Sequence, residues 1–130
     1  MIFIQSLIFI KMNIEYFREY CLAKAGVTEE TPFDEVTLVF KVMGKMFALT
    51  DMDLFESINL KCDPEWAVTL REEYDDVVLP GWHMNKKHWN TVKMNKGIPT
   101  PKILEWIDHS YDLVVSKLPK KVKEELNKLS

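Results

Sequence analysis

Cysteine and glycine are scarce in this 130-residue chain: there are two cysteines, Cys21 and Cys62, and four glycines. The two thiols fall in different expected elements with no CxxC spacing and no neighbouring base. They therefore read as inert core thiols in a reduced, cytoplasmic setting, not as a disulfide framework or a reactive pair. Low-complexity tracts and internal repeats are missing, so nothing resembles a long linker or a solenoid. No apolar run approaches the roughly 20 residues that cross a bilayer. The opening MIFIQSLIFI is about half that length and lacks the basic leader and small-residue cleavage site of a secretory signal. Met12 precedes a well-formed helix start, so residues 1–11 read as an upstream mis-start, in preference to an added strand or docking segment.

Catalytic signatures are missing too. His83 and His88 are five apart and form no HExxH, and the chain has neither GxSxG nor a phosphate-cradling glycine loop. No catalytic residue, cofactor or metal is expected.

What is present suits one compact unit. Apolar residues make up 47% of the chain, enough for one core at this length but not for two. Residues 12–130 are taken as a single domain and as a monomer. The net charge of −3 is unevenly spread. Residues 28–76 hold four basic against thirteen acidic side chains, whereas residues 77–130 hold ten against five. A polyanion-binding face is thus possible on an acidic protein, although a pI near 5.6 argues against strong non-specific affinity.

Asn13 caps a predicted helix running to about Ala25, with Phe17 and Cys21 on its stripe and Gly26 at its end. Leu38, Phe40 and Val42 alternate with Thr37, Val39 and Lys41 as in a strand with one buried face. Met43-Gly44-Lys45 is a turn into a second strand over 46–50, and 55–61 gives a third. Asp63-Pro64-Glu65 opens a helix through about Glu73. Val77–Met84 is interrupted by Pro80-Gly81, and 88–94 reads as a strand. Thr100-Pro101 starts a long helix with Ile103, Ile107, Tyr111, Val114 and Leu118 inward and Trp106 off the stripe, part-exposed. A short amphipathic helix follows Pro119. The order α-β-β-β-α-β-(β)-α-α predicts an α+β fold with a mostly antiparallel sheet.

The stretches LVFKVMGKMFAL (38–49), NLKCDPEWA (59–67), PGWHMNKKHWNTV (80–92) and IDHSYDLVVSKLPKK (107–121) together resemble the MmcQ/YjbR family over about residues 12–125. The resemblance implies a CyaY-like fold and a proposed double-wing mode of DNA binding, with β-hairpins set against the duplex. The apolar 1–11 segment departs from the family pattern.

The residues bear on that implication in one window. Between Gly81 and Leu104 stand Lys86, Lys87, Lys93, Lys96 and Lys102, with no acidic residue. Lysines there suit phosphates, while Trp82, Asn85, His88, Trp89, Asn90 and Thr91 offer stacking or hydrogen bonds. Strand alternation puts His88, Asn90, Val92 and Met94 on one face and Trp89, Thr91 and Lys93 on the other, so Trp89 joins a wing surface if His88 points inward. The family's second wing corresponds to the 43–45 turn with Lys45. The expected partner is duplex DNA, bound weakly and with salt dependence. The ordinary alternative is that the tryptophans are core or rim residues and the lysines merely solvate an edge strand. A competing function is a protein-interaction module using the Trp89 edge or the acidic 72–76 run. The implied fold also brings frataxin's iron-binding acidic surface to mind, but carboxylates at a helix end without fixed geometry are expected to be solvated, not metal-binding. Lys117, Lys120 and Lys121 around Pro119 read as a solvated helix end.

Overall fold

The structure, a computed structural model, describes residues 11–129. The mis-start reading therefore falls, except at Lys11, outside the described residues. The chain runs through α1 (Ile14–Leu22), β1 (Val27–Glu30), β2 (Thr37–Val42), β3 (Lys45–Asp51), β4 (Ser57–Lys61), α2 (Pro64–Glu73), β5 (Val78–Pro80), β6 (Trp89–Lys93), α3 (Thr100–Ser116) and α4 (Lys120–Asn127). The strands form one six-stranded sheet in the order β1-β2-β3-β4-β6-β5, every neighbouring pair antiparallel. This is the α+β architecture that the local patterns predict.

Local chemistry sets the element ends. The Asn13 carboxamide accepts from the Tyr16 amide at 2.8 Å and opens α1. Asp63 accepts from the amides of Glu65 and Trp66 at 3.2 and 3.3 Å, and Pro64 follows at the first helical position of α2. Met43 and Gly44 both have positive φ, 49° and 83°, the type I′ geometry that joins β2 to β3 in two residues.

One strand was not foreseen. α1 stops at Leu22, short of the predicted Ala25, and Gly26, with φ of 73°, turns the chain into β1. Its sequence Val-Thr-Glu-Glu holds one apolar residue, so no period-2 signal exists. Pairing with β2 and ion pairs make the strand: Glu29 takes Arg18 of α1, and Glu30 takes Lys41 of β2. Charged side chains on an edge strand also discourage pairing with another chain.

The main core lies between the sheet and its helices. Leu38, Phe40, Ile58, Leu60 and Val92 pack against Phe17 and Cys21 of α1 and Ile103, Ile107 and Val114 of α3. Phe17 meets Phe40 edge-on at 5.3 Å. Trp106 belongs to this core, buried and edge-on to Tyr74 with ring centroids 5.1 Å apart, contrary to the expectation of partial exposure. It was misplaced because the helix is covered on two sides, by the sheet and by the end of α2.

The opposite sheet face is not open either. Val39, Leu49 and Trp89 form a second buried cluster there, with Met46 and Met84 packed on it. The cover is the β5–β6 connection, which folds back so that the Trp82 amide donates to Thr91 Oγ1 at 2.8 Å. A single buried face on β2 was the expectation; the connection buries Val39 as well.

Candidate nucleic-acid interface

Residues 81–88 are held by a dense set of bonds. The Gly81 amide donates to the Trp89 carbonyl at 2.8 Å. A Cβ at position 81 would stand 2.7 Å from Trp89 Cβ and 3.0 Å from its carbonyl oxygen, so the close approach requires glycine. The Asn85 carbonyl accepts from the amides of His88 and Trp89, and its side-chain oxygen accepts from the Lys87 amide at 2.9 Å. Arg71 of α2 donates through Nε to Asn90 Oδ1 at 2.7 Å and through Nη2 to the carbonyls of Lys86 and Trp89. Asn90 Nδ2 donates to the Ala67 carbonyl at 3.4 Å. The loop is thereby tied to α2, and the Lys86 ammonium folds back onto it, donating to the Gly81 carbonyl at 3.1 Å.

The structure divides the residues expected to touch DNA into three groups. Lys45, Lys86, Lys87 and His88 belong to segments that meet at one end of the sheet, where the β2–β3 turn, the end of β4 and the start of β6 coincide. Lys45 and His88 line a cleft of about 300 Å³ with Lys61 and Lys117, and Lys86 and Lys87 directly precede His88. The acid lining it is Asp63, whose carboxylate is engaged by the amides at the start of α2. Among the described residues, no carboxylate lies within 4.0 Å of Lys45, Lys61, Lys86, Lys87 or Lys117.

Lys93 and Lys96 lie elsewhere. Lys93 pairs with Ser57 beside Glu56, five strand residues from His88 and so roughly 16 Å away.

Trp89, Asn90 and Thr91 reach no ligand at all, being 5%, 2% and 0% exposed. Trp89 lies beneath Met84 and offers its ring to Lys61, whose Nζ is 5.8 Å from the centroid. Asn90 anchors Arg71, and Thr91 Oγ1 joins the Trp82 amide to Asn59. Alternation assigned their faces correctly; burial by the loop and by α2 is what removes them from the surface. Asn85 is exposed, but its side chain holds the Lys87 amide.

Two members of the basic end escape sequence reasoning. Lys61 is a lone strand-terminal lysine in the acidic third of the chain, with no local signal. Lys117 carried one, the cluster with Lys120 and Lys121, which was read as a solvated helix end. Lys61 is positioned by Ser110 of α3, whose buried hydroxyl accepts from the Lys61 amide at 2.9 Å and donates to the Phe47 carbonyl.

Other reactive side chains are muted. Burial pushes the Cys62 thiol up to about 12 and raises the fully buried Cys21 as well. Burial also lowers His109 below its ordinary value, and its Nε2 accepts from the Asp63 amide at 3.0 Å with the ring edge-on to Trp66. No group of three or more His, Cys, Asp or Glu among the described residues is arranged to hold a metal ion. No helix among them is long and apolar enough to cross a membrane.

Comparison with known proteins adds relatives to this geometry. The sequence model of the family described as YjbR matches residues 22–113. The chain is 33% identical over 119 residues to the uncharacterised Escherichia coli protein YjbR, covering 91% of this chain and all of that one. It is 32% identical over 76 residues to the uncharacterised Bacillus subtilis protein YyaQ, 58% of this chain and 63% of that one. The crystal structure of a Deinococcus radiodurans protein with a DUF419 domain superposes with a TM-score of 0.83 at 37% identity, over 88% of each chain. A Pseudomonas syringae protein matches with a TM-score of 0.66 at 28% identity, over 78% of this chain and 98% of that one.

Proposed function

The chain belongs to the YjbR family, and on that premise we propose that it is a non-enzymatic protein that binds the backbone of duplex DNA through the basic end of its sheet. The relatives carry no assigned activity, so support comes from the side chains. The observation that carries the reading is the meeting of Lys45, Lys61 and Lys117, from β3, β4 and the end of α3, at one cleft without a carboxylate partner among the described residues, with Lys86 and Lys87 on the adjoining β5–β6 loop and the Lys86 ammonium resting on the Gly81 carbonyl. Four other cations sit on carboxylates, Arg18 on Glu29, Lys24 on Asp108, Lys41 on Glu30 and Lys102 on Glu105, whereas Lys93, Lys96, Lys120, Lys121, Lys123 and Lys128 have no such partner among the described residues but line no part of this cleft. Unneutralised ammonium groups on rigid supports are what phosphate contacts require, and their lack of base-reading partners favours shape over sequence. In this reading the β2–β3 turn and the 81–88 loop serve as the two wings. Binding is weak, because the protein as a whole is acidic. In this reading the protein works as a cytoplasmic monomer with Cys21 and Cys62 reduced.

Docking of a protein partner on the Trp89 edge has less to recommend it, because that anchor is covered.

Fluorescence anisotropy with a labelled duplex tests the proposal. Four to five phosphate contacts give a slope of log affinity against log salt of about −3.6 to −4.5. Lys45→Glu/Lys61→Glu/Lys117→Glu flattens it by about 2.7, and Lys93→Glu/Lys96→Glu leaves it nearly unchanged. No salt-sensitive binding at low ionic strength, or an equal loss from the Lys93/Lys96 pair, overturns the assignment.

A further inference from the structure

Large apolar side chains scattered singly over a surface need no explanation, but a ring of them around a concavity does. Phe33, Leu54 and Trp82 are 65%, 66% and 44% exposed, and three separate segments bring them to the rim of one cleft of about 570 Å³. The cleft lies on the loop-covered side of the sheet, with Leu49, Ser57 and Asn59 among its lining, and it shares no residue with the basic cleft. Its charged side chains are Asp34, Asp51 and Glu56, joined by His83; among the described residues neither lysine nor arginine lines it. Lys93 and Lys96 lie in the neighbouring depression, across Glu56 and Trp82.

Two of the three carboxylates are set in place before any ligand arrives. Asp34 accepts from the amides of Val36 and Thr37 and from the Thr37 hydroxyl, which hold its carboxyl below the ordinary range. Asp51 accepts from the amides of Asp53 and Leu54 at 2.8 and 3.1 Å. His83, at the rim, sits in the left-handed region with φ of 60°, a conformation that the fold imposes on a non-glycine residue.

From this combination we infer that the cleft binds a small organic cation, an ammonium group on a flat apolar body. The body is held between Phe33, Leu54 and Trp82, while the ammonium lies against the carboxylates and an aromatic face. The size fits: small-molecule sites occupy roughly 300–1,000 Å³. A protein partner would need on the order of 800 Å² of contact on this side, more than three apolar side chains supply. An anionic ligand would meet three negative groups with no cation lining the cleft to offset them.

The test is a titration of the isotope-labelled full chain followed by amide and indole NMR shifts, with phenethylammonium as probe and the isosteric neutral 2-phenylethanol beside it. Saturable shifts are expected at residues 33–34, 49–57 and 82–84 and at the Trp82 indole. Phenethylammonium should bind about two- to fivefold more tightly than the alcohol, the ratio expected of one part-exposed cation–π contact. Trp82→Ala weakens both probes. Glu56→Gln, at a side chain without a hydrogen bond among the described residues, weakens the ammonium alone. Equal affinity for the two probes, absence of saturable shifts in the millimolar range, or shifts confined to Lys45, Lys61 and His88 would each refute the inference. None of these results depends on whether the basic end binds DNA.

Discussion

Replacing Ser110 by Ala removes the one oxygen that bridges a gap between β3 and β4. Phe47 is the extra residue of a bulge: Phe40 pairs with Ala48 and Lys41 with Met46, so Phe47 has no cross-strand partner in β2, and the β3–β4 register begins only at Ala48. The Lys61 amide faces the same gap. Ser110, fully buried on α3, spans it by accepting from Lys61 and donating to Phe47. Without the hydroxyl, a part-buried N–H and a buried C=O lose this partner, at a cost of about 1–3 kcal/mol for the buried group and less for the other. A water entering the gap would recover part of this, so the expected loss is about 2–4 kcal/mol. At about 2.1 cal/mol/K per residue of unfolding entropy, that is a fall in Tm of roughly 7–15 °C. Urea unfolding of Ser110→Ala should show a lower midpoint at unchanged slope, and hydrogen exchange should accelerate at the Lys61 amide. A loss below about 0.5 kcal/mol with unchanged protection at Lys61 refutes the reasoning, because the bulge would then need no partner from α3.

Three further outcomes follow from named contacts. Gly81→Ala sets a methyl against the Trp89 backbone, which no rotamer change relieves; it should cost about 1–3 kcal/mol, and tryptophan emission should shift to the red as the loop lifts from Trp89. Cys21 and Cys62 should resist a thiol reagent in the native protein at mildly alkaline pH and react fully in urea; fast labelling of the native chain contradicts the burial argument. His109 is lowered from 6.5 by burial, so the unfolded chain binds the extra proton first as pH drops. Its contribution is therefore complete above about pH 6.5 and declines as pH falls through that value toward the folded pKa. Chemical denaturation between pH 7.5 and 5.5 should show less pH dependence in His109→Gln, and an identical slope in the two proteins excludes this origin.

Much of the fold was legible because its signals are local. Asn13, Asp63-Pro64 and Thr100-Pro101 mark helix starts within one turn, and Met43-Gly44 closes a hairpin in two residues. β1 was not legible, because a strand with one apolar residue exists only through its pairing with β2 and its ion pairs. The candidate site was half legible. Lys45 and His88 line one cleft, with Lys86 and Lys87 next to His88 in the chain, but Lys93 and Lys96, close in sequence, are carried to the far end of the sheet by the length of β6.

By itself, then, the sequence determined the helices and every strand but β1, the core-facing side of β2, and where the acid-free lysines lie along the chain. Those properties come from caps, turns and period, interactions spanning a few residues. Only the tertiary structure decided that Trp89 is covered, that Lys61 and Lys117 join the basic end, and that Phe33, Leu54 and Trp82 share a cleft. These depend on the strand order β4-β6-β5 and on a loop folding back over the sheet, contacts between residues far apart along the chain that local periodicity does not encode.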